Sequence, residues 1–326
     1  MHQRALAKAL QGCWAQTFDR SGPKLQAGTS LELAVSRWLQ VSPWTRKDSI
    51  MTDTHTLTTL IALAVGLLAT GAIAGVLAGL LGVGGGIVIV PVLFWLFDLL
   101  NVPSTVAMHL AVGTSLCTII PTSISSARAH HKKGAIDLSL LRSWAPVMFA
   151  GALIGGLLSK VLGGAVLTAI FGVVALAVSI NMATPKTLVL SDTLPEGPIG
   201  RGALPFGIGT FSALMGIGGG TLSVPILNAF SFPVHRAVGT ASAFGLVIAV
   251  PAVLGFIWSG WNLAERPPFS LGYVSLPAAI LIFSVSVLTA PVGSRIAHNM
   301  NPARLKLAFA AFLFLTSVRM LWSILN

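Results

Sequence analysis

Leu81-Gly82-Val83-Gly84-Gly85-Gly86 runs on to Val90-Pro91, and Met215-Gly216-Ile217-Gly218-Gly219-Gly220 runs on to Val224-Pro225. Both copies lie inside long apolar segments, and the distance from glycines to proline is the same in each. A glycine costs a helix interior roughly 1 kcal/mol relative to alanine, so a triplet predicts a break. In a lipid core, broken backbone survives only where protein buries it or where it lines a cavity. Two breaks at corresponding places in two halves of a membrane chain point to a transport site.

The surrounding composition fits lipid. Of 326 residues, 54% are hydrophobic and 9% charged, where globular domains carry about 25% charged residues. No charged residue interrupts His55 to Asp98, Lys160 to Lys186, Arg201 to Arg236, Arg236 to Glu265 or Arg266 to Arg295. A spanning helix needs about 20 apolar residues, so several such stretches hold one or two segments. The formal charge of +11 sits in connecting loops, without the aromatic interleaving of a nucleic-acid site, and nucleic acid is not an expected partner. Cys13 and Cys117 are too far apart to write a redox pair or a disulfide framework. Neither metal-ligand spacing nor a cofactor motif is present.

Ten hydrophobic segments are expected, at about 57–82, 86–100, 104–127, 141–159 and 163–183, then 200–216, 220–232, 236–259, 272–296 and 304–325. The repeat extends past the glycines. Met108-His109-Leu110-Ala111-Val112-Gly113-Thr114-Ser115 matches Val234-His235-Arg236-Ala237-Val238-Gly239-Thr240-Ala241, and Gly155 and Lys160 fall opposite Gly293 and His298. The chain therefore reads as an all-α polytopic membrane protein with an internal duplication. Its expected divisions are an extension over 1–55, a first repeat over 56–184, a linker over 185–199 and a second repeat over 200–326.

Five segments per half would leave the halves inverted relative to each other. Starting the first span outside puts Arg128, Lys132, Lys133, Lys186, Arg201, Arg236, Arg295, Arg304 and Lys306 inside, as the positive-inside rule favours. Residues 1–50 carry seven Lys and Arg that oppose this assignment. They read either as a disordered or upstream extension of a chain starting at Met51, or as a regulatory membrane-surface segment.

The glycine clusters are not nucleotide loops, because Gly84-Gly85-Gly86 is followed by Ile87-Val88 and not by Lys-Ser or Lys-Thr. Helix ends offer another chemistry. After Gly86 and Gly220 the chain can restart as a helix, exposing unpaired N–H groups and a positive dipole end. Two such ends would hold an anion without a buried cation. Gly84, Gly85, Gly86, Gly218, Gly219 and Gly220 are the expected backbone donors. Thr114, Ser115, Thr240 and Ser242 are the expected hydroxyl donors, although Ser and Thr also bond their own helix carbonyls. Thr118, Thr122, Ser123 and Thr221 are further candidates of that type. Gly71, Gly75 and Gly79, spaced by four, read as a packing face. His109 and His235 read as capping or interfacial residues, and His130 and His131 as part of a solvated basic loop. No Asp or Glu lies deep in a span, and no nucleophile–base grouping argues for an enzyme.

At these residues the chain resembles the sulfite exporter TauE/SafE family, over roughly Thr56 to Leu325. The duplicated Gly-x-Gly-Gly-Gly with Val-Pro and the downstream Ala-Val-Gly-Thr carry the resemblance. It implies a multi-pass transporter of the bacterial inner membrane that exports small sulfur-containing or organic anions, of the sulfite or sulfonate type. The alternative class is a membrane interaction or assembly protein without a transport cycle. The expected partners are a small anion and the lipid bilayer, with the oligomeric state open.

Overall fold

The computed structural model describes residues 54–82, 84–184, 191–195, 197–263, 267–296 and 302–325. The reading of residues 1–50 lies outside the described residues, as do Lys186, Glu265, Arg266 and His298. Among the described residues ten helices follow one another. They are α1 (Thr54–Leu81), α2 (Gly86–Leu99), α3 (Ser104–His131), α4 (Leu138–Leu158) and α5 (Gly164–Ala183), then α6 (Leu204–Met215), α7 (Gly220–Ala229), α8 (Val234–Ser259), α9 (Leu276–Ile296) and α10 (Pro302–Leu325). A π-helical turn at Ile199–Ala203 leads into α6. The protein is an all-α polytopic membrane protein.

Among the described residues six helices, α1, α3, α4, α5, α8 and α9, are long and apolar enough to cross a bilayer. Helices α2, α6 and α7 have 14, 12 and 10 residues. At 1.5 Å per residue they reach only about 15–21 Å, short of a hydrocarbon core about 30 Å thick. All three border a glycine cluster. In α3 and α8, 78% and 67% of the most apolar stretch is buried inside the protein, against 28–39% in the other four. The centre of the bundle is therefore the α3–α8 pair, which pack on each other.

Around that pair, contacts are reciprocal between the halves. Helix α3 packs on α9, and α8 on α4. Gly71, Gly75 and Gly79 of α1 lie against the backbone of Ile282, Ser286 and Ala290 of α9, and Gly293 of α9 lies against Val76 of α1. Gly151 and Gly155 of α4 lie against Phe206 and Thr210 of α6, and Gly209 of α6 lies against Met148 of α4. The first helix of each half thus docks on the fourth helix of the other. The small residues let backbones touch, which is how helices gain packing energy where lipid removes the hydrophobic drive.

Two hydroxyls pin this exchange. Thr114 Oγ1 accepts the N–H of Ser275 just before α9 (2.9 Å), and Thr240 Oγ1 accepts the N–H of Asp137 just before α4 (2.9 Å). Asp137 in turn caps α4, accepting from the N–H groups of Ser139 and Leu140, and pairs with Arg236 at 2.9 Å. Thr114→Val should lower the unfolding midpoint in detergent, because a buried N–H without an acceptor costs about 1–3 kcal/mol. Thr240→Val should cost less, since the Asp137 N–H is only partly buried. Equal midpoints for wild type and Thr114→Val would remove this role.

One segment differs from expectation. The stretch from 272 does not begin a helix. Ser270–Leu271 and Val274–Ser275 form a small antiparallel hairpin, and α9 starts at Leu276. Gly272, at φ +56°, makes the turn, and Tyr273 reaches inward to stack on His109 with ring centroids 4.6 Å apart.

Candidate anion site at the two helix breaks

Both breaks are made by left-handed glycines. Gly82, Gly84 and Gly85 have φ of +67°, +74° and +78°, and Gly216 and Gly218 have +68° and +70°. Side chains rarely adopt this backbone, which explains the residue type. Helix α2 restarts with the N–H groups of Val88 and Ile89 bonding Gly85 O, and α7 with Ser223 N–H bonding Gly219 O (3.1 Å). The N–H groups ahead of these, on Gly86 and Ile87 and on Gly220 and Thr221, precede the first intrahelical bond. One turn further, Pro91 and Pro225 lack the N–H that would bond the carbonyls of Ile87 and Thr221.

The breaks meet. Gly86 lies against the backbone of Gly216 and Ile217, so that no side chain fits between them. Ser115 Oγ donates to Gly216 O at 2.7 Å, tying α3 to the second break. Gly84 faces Ile119 and Ser123 of α3, Gly219 lies against Phe244 and Gly245 of α8, and Gly245 abuts Ser123. Ser123 Oγ therefore sits beside the first break and beside the α8 glycine that contacts the second.

Ser123 Oγ is also buried with no hydrogen-bond partner, and so are Thr221 Oγ1, Ser223 Oγ and Ser212 Oγ. Their residues are 0–3% exposed. The last three flank the second break in sequence. Such orphaned groups are uncommon, because a buried hydroxyl ordinarily bonds a carbonyl of its own helix. Thr118 and Thr122 do so here, to Ser115 O and Thr118 O.

The expected hydroxyl set is thus divided. Ser115 reaches the breaks, whereas Thr114 and Thr240 are engaged with the loops before α9 and α4. Ser242 Oγ donates to Gly239 O of its own helix at 2.6 Å. Of the histidines, His109 is buried and its Nε2 lies 3.0 Å from Ser159 O and 2.9 Å from Leu162 O, capping the end of α4. His235 is exposed at the start of α8. His130 is not solvated as expected: it is 2% exposed, with Nε2 3.0 Å from Gly79 O. Close packing of the end of α1 against α3 buries it, while His131 stays exposed.

Residues 67–320, which contain both breaks and the central pair, match the family described as sulfite exporter TauE/SafE. The chain belongs to the TauE/SafE family. It is 38% identical over 256 residues to a probable membrane transporter protein of Haemophilus influenzae, covering 78% of this chain and 96% of that one. It is 31% identical over 265 residues to a probable membrane transporter protein of Methanocaldococcus jannaschii, covering 78% and 94%. With the probable membrane transporter protein YunE of Bacillus subtilis it shares 30% over 199 residues, 54% of this chain and 71% of the relative. No solved structure matches it significantly. This TauE/SafE protein is a multi-pass membrane transporter.

Proposed function

We propose that this transporter exports small sulfur-containing or organic anions, of the sulfite or sulfonate type, across a bacterial inner membrane. The carrying observation is that the two glycine breaks meet, with the unpartnered hydroxyl of Ser123 beside them and those of Ser212, Thr221 and Ser223 flanking the second break in sequence. The N–H groups at Gly84, Gly85, Gly86, Gly218, Gly219 and Gly220 would face the anion, with Ser123, Thr221 and Ser223 completing its hydrogen bonds. A site of dipoles without a full positive charge binds weakly enough to release what it carries.

The two halves are proposed to be inverted repeats around this site. The reciprocal docking of α1 on α9 and α6 on α4 supports a two-fold relation between them. Loop contacts fit the sidedness drawn from the charges. Lys133 with Ser294, Asp137 with Arg236, and Ser231 with Ser191 each join residues assigned inside. His109 with Ser159 and Leu162 joins segment ends that the same assignment, by alternation of the spans, puts outside. In a chain without its native cysteines, a cysteine replacing Lys132 should be protected from an impermeant thiol reagent in intact cells. One replacing Lys160 should label. The opposite pattern would reject the assignment.

Function is tested by reconstituting the protein in liposomes and measuring efflux of labelled sulfite, short sulfonates and unrelated anions. Ser123→Ala and Thr221→Val should weaken apparent affinity for the transported anion by about tenfold or more, the worth of a hydrogen bond to a charged group. Their thermal stability should be unchanged or higher, because each removes an unsatisfied buried hydroxyl. Wild-type affinity in both variants would take these hydroxyls out of the site.

A further inference from the structure

A cavity of about 590 Å³ lies between α3 and α9, and Arg128, Lys132, Lys133 and Arg295 all line it. Among the described residues no Asp or Glu lines it. Both helices end here, α3 at His131 and α9 at Ile296. Two helix C-termini supply about −1 between them, against four full positive charges. Capping the dipoles therefore leaves roughly three positive charges uncompensated in one concavity, and mutual repulsion there falls when an anion enters.

These charges are not required by the packing of the duplicated helices. At the 126-residue spacing that relates Thr114 to Thr240, the positions of Arg128, Lys132 and Lys133 are taken by Leu254, Trp258 and Ser259. Leu254 and Trp258 are exposed without any charge.

Apart from Ser125 and Ser294, the remainder of the cavity lining is apolar. One to two turns deeper than the cations, Ile124, Val287 and Pro291 form its floor. Pro291 cannot donate to Val287 O, and Ser125 Oγ takes that carbonyl instead at 2.8 Å, which leaves little polar surface there. Leu288 and Val292, beside the floor on α9, are strongly exposed and face lipid in a spanning helix. A charged rim over an apolar, lipid-side floor fits an amphiphile better than a free ion.

We infer that this cavity binds the phosphodiester headgroup of an anionic phospholipid, with its acyl chain on the Ile124–Val287–Pro291 floor. Basic pockets between spanning helices recognise anionic lipid headgroups by this chemistry. The inference is independent of the transported substrate and of the site at the glycine breaks.

The test uses the purified full chain in detergent, titrated with micelles of phosphatidylglycerol or of phosphatidylcholine and, separately, with sodium sulfate. Bound lipid is read by native mass spectrometry, and the unfolding midpoint is followed in parallel. Phosphatidylglycerol should bind and raise the midpoint, while phosphatidylcholine should not. Arg128→Gln and Arg295→Gln should each weaken phosphatidylglycerol binding about fivefold, from about 1 kcal/mol per basic residue. Lys160→Gln, on an exposed loop elsewhere, should leave it unchanged. Equal binding of both lipids, or undiminished binding in both glutamine variants, overturns the inference. Displacement of phosphatidylglycerol by millimolar sulfate, with sulfate alone raising the midpoint, overturns it in favour of a pocket for aqueous oxyanions. Lipid selectivity of the unmodified protein is measured without any variant, so a variant that fails to fold does not remove the test.

Discussion

Replacing Gly86 with alanine is expected to abolish transport, while the same change at Gly66 or Gly207 leaves it intact. A Cβ at Gly86 would collide with the backbone of Gly216 and Ile217, and backbone cannot rotate aside as a side chain can. Overpacking of this kind costs about 1–3 kcal/mol and is relieved only by moving the two breaks apart. That movement would also disturb Gly216 O, which holds Ser115. At Gly66 in α1 and Gly207 in α6 the space a Cβ would take is open, with nothing within 4 Å, so alanine there meets no such obstacle. In water such a change stabilises a helix by up to about 1 kcal/mol. Efflux from proteoliposomes, normalised to folded protein by size-exclusion chromatography, separates loss of function from loss of fold. Full transport by Gly86→Ala would mean that contact between the breaks is not needed for transport.

The second large effect is electrical. A potential of 100 mV is worth about 2.3 kcal/mol per elementary charge, nearly fifty-fold in the equilibrium distribution of a monovalent anion. With the cytoplasm negative, an anion moving by uniport is driven outward, and the proposed export would need no coupling ion. The described helices hold no Asp or Glu in their interiors: Asp98 lies at the end of α2 and Asp137 caps α4. The buried histidines of α3, His109 and His130, are bonded to carbonyls of neighbouring helices. Anion efflux from proteoliposomes, with the potential set by potassium and valinomycin, should therefore follow the potential. Flux that ignored it and followed an imposed proton gradient would reject uniport and direct attention to His109 and His130.

Segment boundaries were legible because lipid makes a strong demand on sequence. The expected segments 86–100 and 220–232 correspond to Gly86–Leu99 and Gly220–Ala229, since a glycine triplet marks a restart wherever it falls. The packing face of Gly71, Gly75 and Gly79 was legible too, from its spacing alone. Hydroxyl roles were not. Thr114 and Ser123 are the same kind of residue on the same helix, and what separates them is the group opposite: Ser275 N–H for one, nothing for the other. That group comes from a distant part of the chain, so no local pattern announces it. Burial of His130 depends likewise on the end of α1, and the inward turn of Tyr273 on a hairpin too short to leave an alternating signature.

The exchange of first helices between the halves bears on how the chain is made. Helix α1 leaves the ribosome with Gly71, Gly75 and Gly79 bare, and the surface that fills those notches, on α9, follows roughly 200 residues later. At about 5–20 residues per second, α1 waits on the order of 10–40 s in the bilayer before its partner is synthesised. Helix α6 has no such delay, because α4 is already present when it emerges. The first half is thus unfinished until the second is nearly complete. Nascent α1, with its backbone-deep notches facing lipid, is the stage at which a membrane chaperone or a protease has longest to act.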